Sequence, residues 1–158
     1  MVHIAFFATI LLISSGYSMW WGGAPERRVG AAMLAAYVAT LFSHSEFAVR
    51  FTQVEVGVLI IDLALMLVLG FVALKADRGW PFLLAGLHLT TLGAHATRVL
   101  YPSMIEVTYA VMLTMWSYPM VVALSIGTWR HQKRLRAFGY DRDWSAPFGV
   151  VSAQASNP

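Results

Sequence analysis

Cysteine is absent from the 158-residue chain, which excludes a disulfide framework, a thiolate zinc site, an iron–sulfur cluster and a cysteine nucleophile. Charge is scarce as well. Asp, Glu, Lys and Arg supply 12% of the residues against 58% hydrophobic, with a mean hydropathy of +0.63. Soluble domains carry about a quarter charged residues, so the expected solvent for most of this chain is lipid. The sequence also lacks a P-loop, a nucleophile elbow, a rhodopsin-like lysine in its last apolar segment and a selectivity-filter sequence. Familiar enzyme and channel classes are therefore unsupported. Internal repeats, low-complexity runs and inverted pairs of Gly/Pro-broken spans are missing too.

What charge there is lies unevenly. The net +3 resides in the segment after Trp129, where Arg130, Lys133, Arg134, Arg136 and Arg142 face only Asp141 and Asp143. The rest of the chain is neutral overall. A basic juxtamembrane segment suits anionic lipid, and no nucleic-acid partner is expected.

Crossing about 30 Å of hydrocarbon takes roughly 20 mostly apolar residues. Val2 to Trp20, Val54 to Ala76, Trp80 to Thr97 and Val107 to Trp129 meet or approach that length. Val29 to Phe42 is short, and completing it at its far end draws in His44, Ser45 and Glu46. The first segment has no basic residue before it and no small-residue cleavage site after it, so it reads as a retained span. Lysine and arginine favour the cytoplasmic side. Five spans with the N-terminus outside put Arg27, Arg28, Lys75, Arg78 and the five basic residues after Trp129 in the cytoplasm, leaving Arg50 and Arg98 outside. Treating Val29 to Phe42 as a re-entrant segment moves Arg27, Arg28, Arg50 and Arg98 outside together, a poorer split. Trp20, Trp21, Trp80 and Trp129 all fall at the cytoplasmic interface of the five-span arrangement, where tryptophan prefers to sit. The expectation is an all-α polytopic bundle over residues 1–129, then a basic cytoplasmic tail over residues 130–158, with four spans plus a re-entrant segment as the alternative.

Helices associate in lipid through small residues and interhelical polar contacts. Ala32 with Ala36 and Ala35 with Ala39 form small-residue pairs in the second span. In the fourth, Gly86, Thr90, Gly93 and Thr97 make a small stripe, and His88, Thr91, His95 and Arg98 a polar one nearly opposite. Two such faces imply a central helix surrounded by protein. Pro119 implies a kink in the last span.

Ionisable groups at membrane depth invite a functional reading. Helical rise matches the depth of Asp62 to that of His95 across the hairpin at KADRG, so an Asp62–His95 contact is expected. His88, Thr91 and Arg98 extend an intramembrane polar cluster, and His44 and Glu46 lie near the same outer face. Four uses are open: interhelical glue, a proton or substrate pathway through Asp62, His88 and His95, a bis-histidine haem on His44 and His95, and a divalent metal on His44, Asp62 and His95. Trp116 and Tyr118 beside Pro119 raise a quinone or pigment cavity, although aromatic residues in a span more often serve packing, which is the preferred reading. No catalytic residue is assigned. Arg130, Lys133, Arg134 and Arg136, interleaved with aromatic residues further on, suit a tail lying on the membrane surface or docked onto a neighbour, with a solvated, partly disordered tail as the alternative.

The stretches ALKADRGWP, GLHLTTLGAHATRVL and MWSYP resemble small multi-span inner-membrane proteins of alphaproteobacteria. That resemblance implies a bacterial inner-membrane location and transfers no activity or site. The leading expectation is a non-catalytic accessory subunit, with a protein partner or a second copy as its binding surface. The alternatives are a small proton-coupled transporter and a haem- or quinone-binding redox protein.

Overall fold

A computed structural model describes the backbone of residues 2–43 and 54–145, with side chains from residue 5 onward. The described chain is a bundle of helices: α1 (Val2–Trp21), α2 (Ala24–Ser43), α3 (Val56–Lys75), α4 (Trp80–Leu100), α5 (Glu106–Thr114) and α6 (Ser117–Phe138). Among the described residues the one departure from helix pairing is an isolated antiparallel bridge between Ala76 and Trp144. The fold class is all-α. Two helical runs, Val56–Lys75 and Glu106–Phe138, are long and apolar enough to cross a membrane by length and composition, and Ala5–Trp21 is a shorter apolar helix.

Three boundaries differ from the sequence expectation. The short second segment gains its length at its start, so that WGGAPERR is a turn only through Gly23. Pro25 sits in the first turn of α2, where its missing N–H leaves no helical bond unmade. The buried Glu26 beside it is offset by a cation described below. At the other end, α6 passes residues 129 and 130 without interruption and runs to Phe138. Arg130, Lys133, Arg134 and Arg136 are thus helical. Gly139, in the left-handed conformation at φ +77, then ends the helix and returns the chain toward the bundle.

The expected kink lies one turn before Pro119. Helix α5 ends at Thr114 and α6 begins at Ser117. Proline offers no N–H to the carbonyl four residues back, that of Met115, and its ring crowds that oxygen, so the break falls at Met115 and Trp116.

The helices pack in a ring, α1 on α2, α2 on α3, α3 on α4, α4 on α6 and α6 back on α1, with α5 against α4. Leu11, Val29, Met33, Leu65, Leu69, Val72, Leu84, Met120, Val121 and Leu124 fill its centre. Ala32 and Ala36 pack against this core, whereas Ala35 is exposed. Close approach needs glycine at two seams. A Cβ on Gly30 would lie 2.0 Å from Ser18 Oγ, and one on Gly127 would lie 2.9 Å from the Trp80 ring.

Helix α4 is not the surrounded centre that its two stripes implied. It packs on α3, α5 and α6. Its polar stripe is buried, but Gly86, Thr90 and Gly93 face outward, and a Cβ on Gly86 or Gly93 would meet nothing within 4 Å. The long polar side chains find their partners inside the ring, whereas glycine loses nothing by facing out and the Thr90 hydroxyl bonds the Leu87 carbonyl of its own helix. The same contrast recurs elsewhere in the bundle. Glu26, His95 and Arg98 are 0%, 1% and 4% exposed, while Phe42, Leu67 and Leu74 are 86%, 76% and 76% exposed.

Candidate functional site

Two buried polar clusters lie toward opposite ends of the bundle. The end holding the α3–α4 turn and the C-terminus of α6 is called basal here, the other distal.

The distal cluster is built on α3, α4 and α5. Asp62 comes from α3, and the one-face spacing of His88, Thr91, His95 and Arg98 turns all four into the bundle. His95 Nε2 lies 3.1 Å from Asp62 Oδ2, and the Tyr109 hydroxyl 2.7 Å from His95 Nδ1. The donors assign themselves: a carboxylate only accepts, so His95 Nε2–H donates to Asp62 and Nδ1 accepts from Tyr109. His88 Nε2 lies 2.8 Å from the Asp62 backbone oxygen, which likewise makes it the protonated nitrogen. The Arg98 guanidinium donates to the Met104 carbonyl and stands 5.7 Å from the centre of the Tyr109 ring. Glu55, buried before the first turn of α3, lies within electrostatic reach of the Tyr109 hydroxyl. Thr91 is buried in the same stripe.

Tyr109 completes this cluster and escaped the sequence reading. A signal for it existed. His95 and Tyr109 are equally far from Pro102, so a hairpin at that proline brings them level. His44 and Glu46 lie outside the described residues. Within them the donor set does not fit a bis-histidine haem, because both ring nitrogens of His95 are engaged and His88 is on the same helix. A metal on Asp62 and His95 would have to displace one of those bonds.

The basal cluster centres on Arg78, in the turn between α3 and α4. One terminal guanidinium nitrogen meets both carboxylate oxygens of Glu26. The other lies 2.8 Å from Asp141 Oδ2, 3.1 Å from Asp143 Oδ1 and 3.2 Å from His131 Nδ1. Arg134 grips Asp141 with two bonds of 2.8 and 3.0 Å, and His131 Nδ1 approaches the same carboxylate at 2.5 Å. Burial alone would raise the Asp141 carboxyl, but hydrogen bonds from Arg134 and His131 and the charge of Arg78 outweigh it and hold the group below its ordinary range. The bond to Asp141 in turn raises Arg134 above the usual guanidinium value.

The segment after Gly139 acts as a strap over this cluster. The Ser145 N–H donates to the Lys75 carbonyl at 2.9 Å. Trp144 pairs with Ala76, lies beneath the Arg28 guanidinium at 4.6 Å and touches Phe71. Gly23 leaves room for the strap, since a Cβ there would lie 2.3 Å from Asp143 Oδ1. Glu26, His131 and Asp143 present ligand-type atoms within 4.8 Å of one another. The Arg78 guanidinium fills the space between them, so the arrangement is an arginine cage. Sequence reasoning counted Arg78 only as a topological charge and passed over Glu26, His131 and Asp141 as partners.

Between the clusters, Leu65, Leu69, Val72, Leu84 and Leu124 form a continuous apolar layer. No protein family, curated protein or solved structure matches this chain significantly.

Proposed function

We propose that the chain is a multi-pass protein of the bacterial inner membrane, with five crossings, a periplasmic N-terminus and a cytoplasmic C-terminus, and that it serves as a non-catalytic accessory subunit of a larger membrane complex. The inverted distribution of polarity carries the membrane part. Glu26, His88, His95 and Arg98 are buried, while many large apolar side chains form the outer surface, the arrangement that hydrocarbon solvent demands. The split of Lys and Arg between the ends gives the orientation.

The accessory role rests on what the interior and the surface offer. Asp62, His88, His95 and Tyr109 bond to one another as interhelical glue, and the core below them is chiefly apolar. The outward stripe Gly86, Thr90 and Gly93 has the small residues that admit a close helix partner. Pull-down in mild detergent with mass spectrometry tests this reading, and recovery of the chain by itself would sink it. A reporter at the N-terminus responding from the cytoplasm would reverse the topology.

One observation favours a second reading. Tyr109, His95 and Asp62 form a directional hydrogen-bonded chain, the kind of relay used in proton pathways. Under that reading, proteoliposome proton flux is lost in Asp62→Asn while the protein still assembles. Absence of flux in the unaltered protein would discard it.

A further inference from the structure

At the basal end of the seam between α1 and α6 lies an open depression of about 570 Å³, lined by Tyr17, Trp21, Trp129, Gln132, Lys133 and Arg136. We propose that it binds the headgroup of an anionic phospholipid. The proposal rests on the membrane reading above and adds a defined site to it.

The lining follows from helical spacing. Tyr17 and Trp21 lie one turn apart on α1, and Trp129, Lys133 and Arg136 follow one another on a single face of α6. Gln132 donates to the Trp21 carbonyl and ties the two helices together at the site. Toward the middle of the bundle the same face of α6 continues as Ile126 and Val122, which are 49% and 55% exposed. One stripe therefore runs from apolar through aromatic to cationic, in the order of acyl chain, interface and phosphate. At helical rise, Lys133 and Arg136 lie roughly 6 and 10 Å beyond Trp129, within and just past a headgroup layer about 5–7 Å deep. This order favours a lipid over a free phosphate ion, which would have no use for the apolar part.

Charge points the same way. None of the lining residues is acidic. The acidic residues of the strap are turned to the other side of α6, where Asp141 and Asp143 are held by Arg78 and Arg134. Among the described residues, the ion pairs of α6 are those of His131 and Arg134, leaving Lys133 and Arg136 without a carboxylate. Lys133 Nζ instead stands 5.5 Å from the centre of the Trp129 ring, held at the mouth of the depression.

The test is native mass spectrometry of the full chain released from bilayers of phosphatidylglycerol and phosphatidylcholine with matched acyl chains. Phosphatidylglycerol should be retained roughly tenfold over phosphatidylcholine. The double variant Lys133→Gln/Arg136→Gln should bring retention near parity. Arg130→Gln/Arg142→Gln, which removes the same charge elsewhere, should keep the preference. Parity in the unaltered protein, or equal loss in both double variants, would overturn the site in favour of diffuse attraction or none. Displacement of the lipid by millimolar inorganic phosphate would overturn it in favour of a free anion. Failure of the membrane reading looks different: the chain would then be stripped from vesicles by alkaline extraction before any lipid preference could be read.

Discussion

The distal cluster joins helices that are neighbours in sequence, whereas the basal cluster joins residues from α2, the α3–α4 turn, α6 and the strap. The distal one centres on histidines, a tyrosine and Asp62 joined by hydrogen bonds, with Glu55 and Arg98 at its edge. The basal one is a charge network in which Arg78 is bonded on both terminal nitrogens and Asp141 is gripped from three sides. Local hairpins need only a few bonds to set their register. Closing a ring of helices and pinning a returning segment takes stronger, charge-assisted contacts.

Breaking the basal network should therefore cost more. Arg78→Met leaves Glu26, fully buried, without its cation, and loss of one partner from a buried pair costs about 3–5 kcal/mol. Thermal unfolding in detergent measures this, and adding Glu26→Gln should restore much of it. A loss no larger than that of Asp62→Asn would remove the distinction between the ends. Asp62→Asn keeps its shape but loses a charge-assisted bond to His95, an expected cost of about 1.5–3 kcal/mol. Tyr109→Phe removes the hydroxyl from His95 and from the Glu55 backbone and keeps the ring packed on Ala94 and Leu113, for about 1 kcal/mol per bond lost. The double variant of Asp62 and Tyr109 should depart from additivity, because both act through His95.

The pH dependence sharpens the comparison with the smallest effect. The folded Asp141 carboxyl is held below its ordinary value of 3.8, so its stabilisation is fully present above that value. It is lost as pH falls from there through the lower folded value. The strap should stay docked at every pH above about 4. A spin label on Ser145→Cys, unique in a chain without cysteine, should become mobile only below that point. In Asp141→Asn it should be mobile throughout.

Much of the distal site was legible because its determinants are local. Helical rise and a short turn suffice to set Asp62 level with His95, and one-face spacing suffices to gather His88, Thr91, His95 and Arg98. Tyr109 needed one more step, the symmetry about Pro102. The basal site was not legible. Arg78, Glu26 and Asp141 read as ordinary charges at a predicted interface, since nothing in their spacing says which opposite charge each will meet. The same gap explains α2. Without the Arg78 pairing, a helix starting through Pro25 and Glu26 looks too polar to extend, so its missing length was sought at the other end.

By itself the sequence determined the helical class and the approximate positions of the helices, because apolar run length acts locally along the chain. Tertiary structure decided which face of α4 turns inward, where the last helix breaks and stops, and that the residues after Gly139 return to lock Arg78. Those outcomes depend on which groups find partners across the bundle. A buried charge or an outward glycine is defined by its neighbours, and neighbours exist only once the ring of helices has closed.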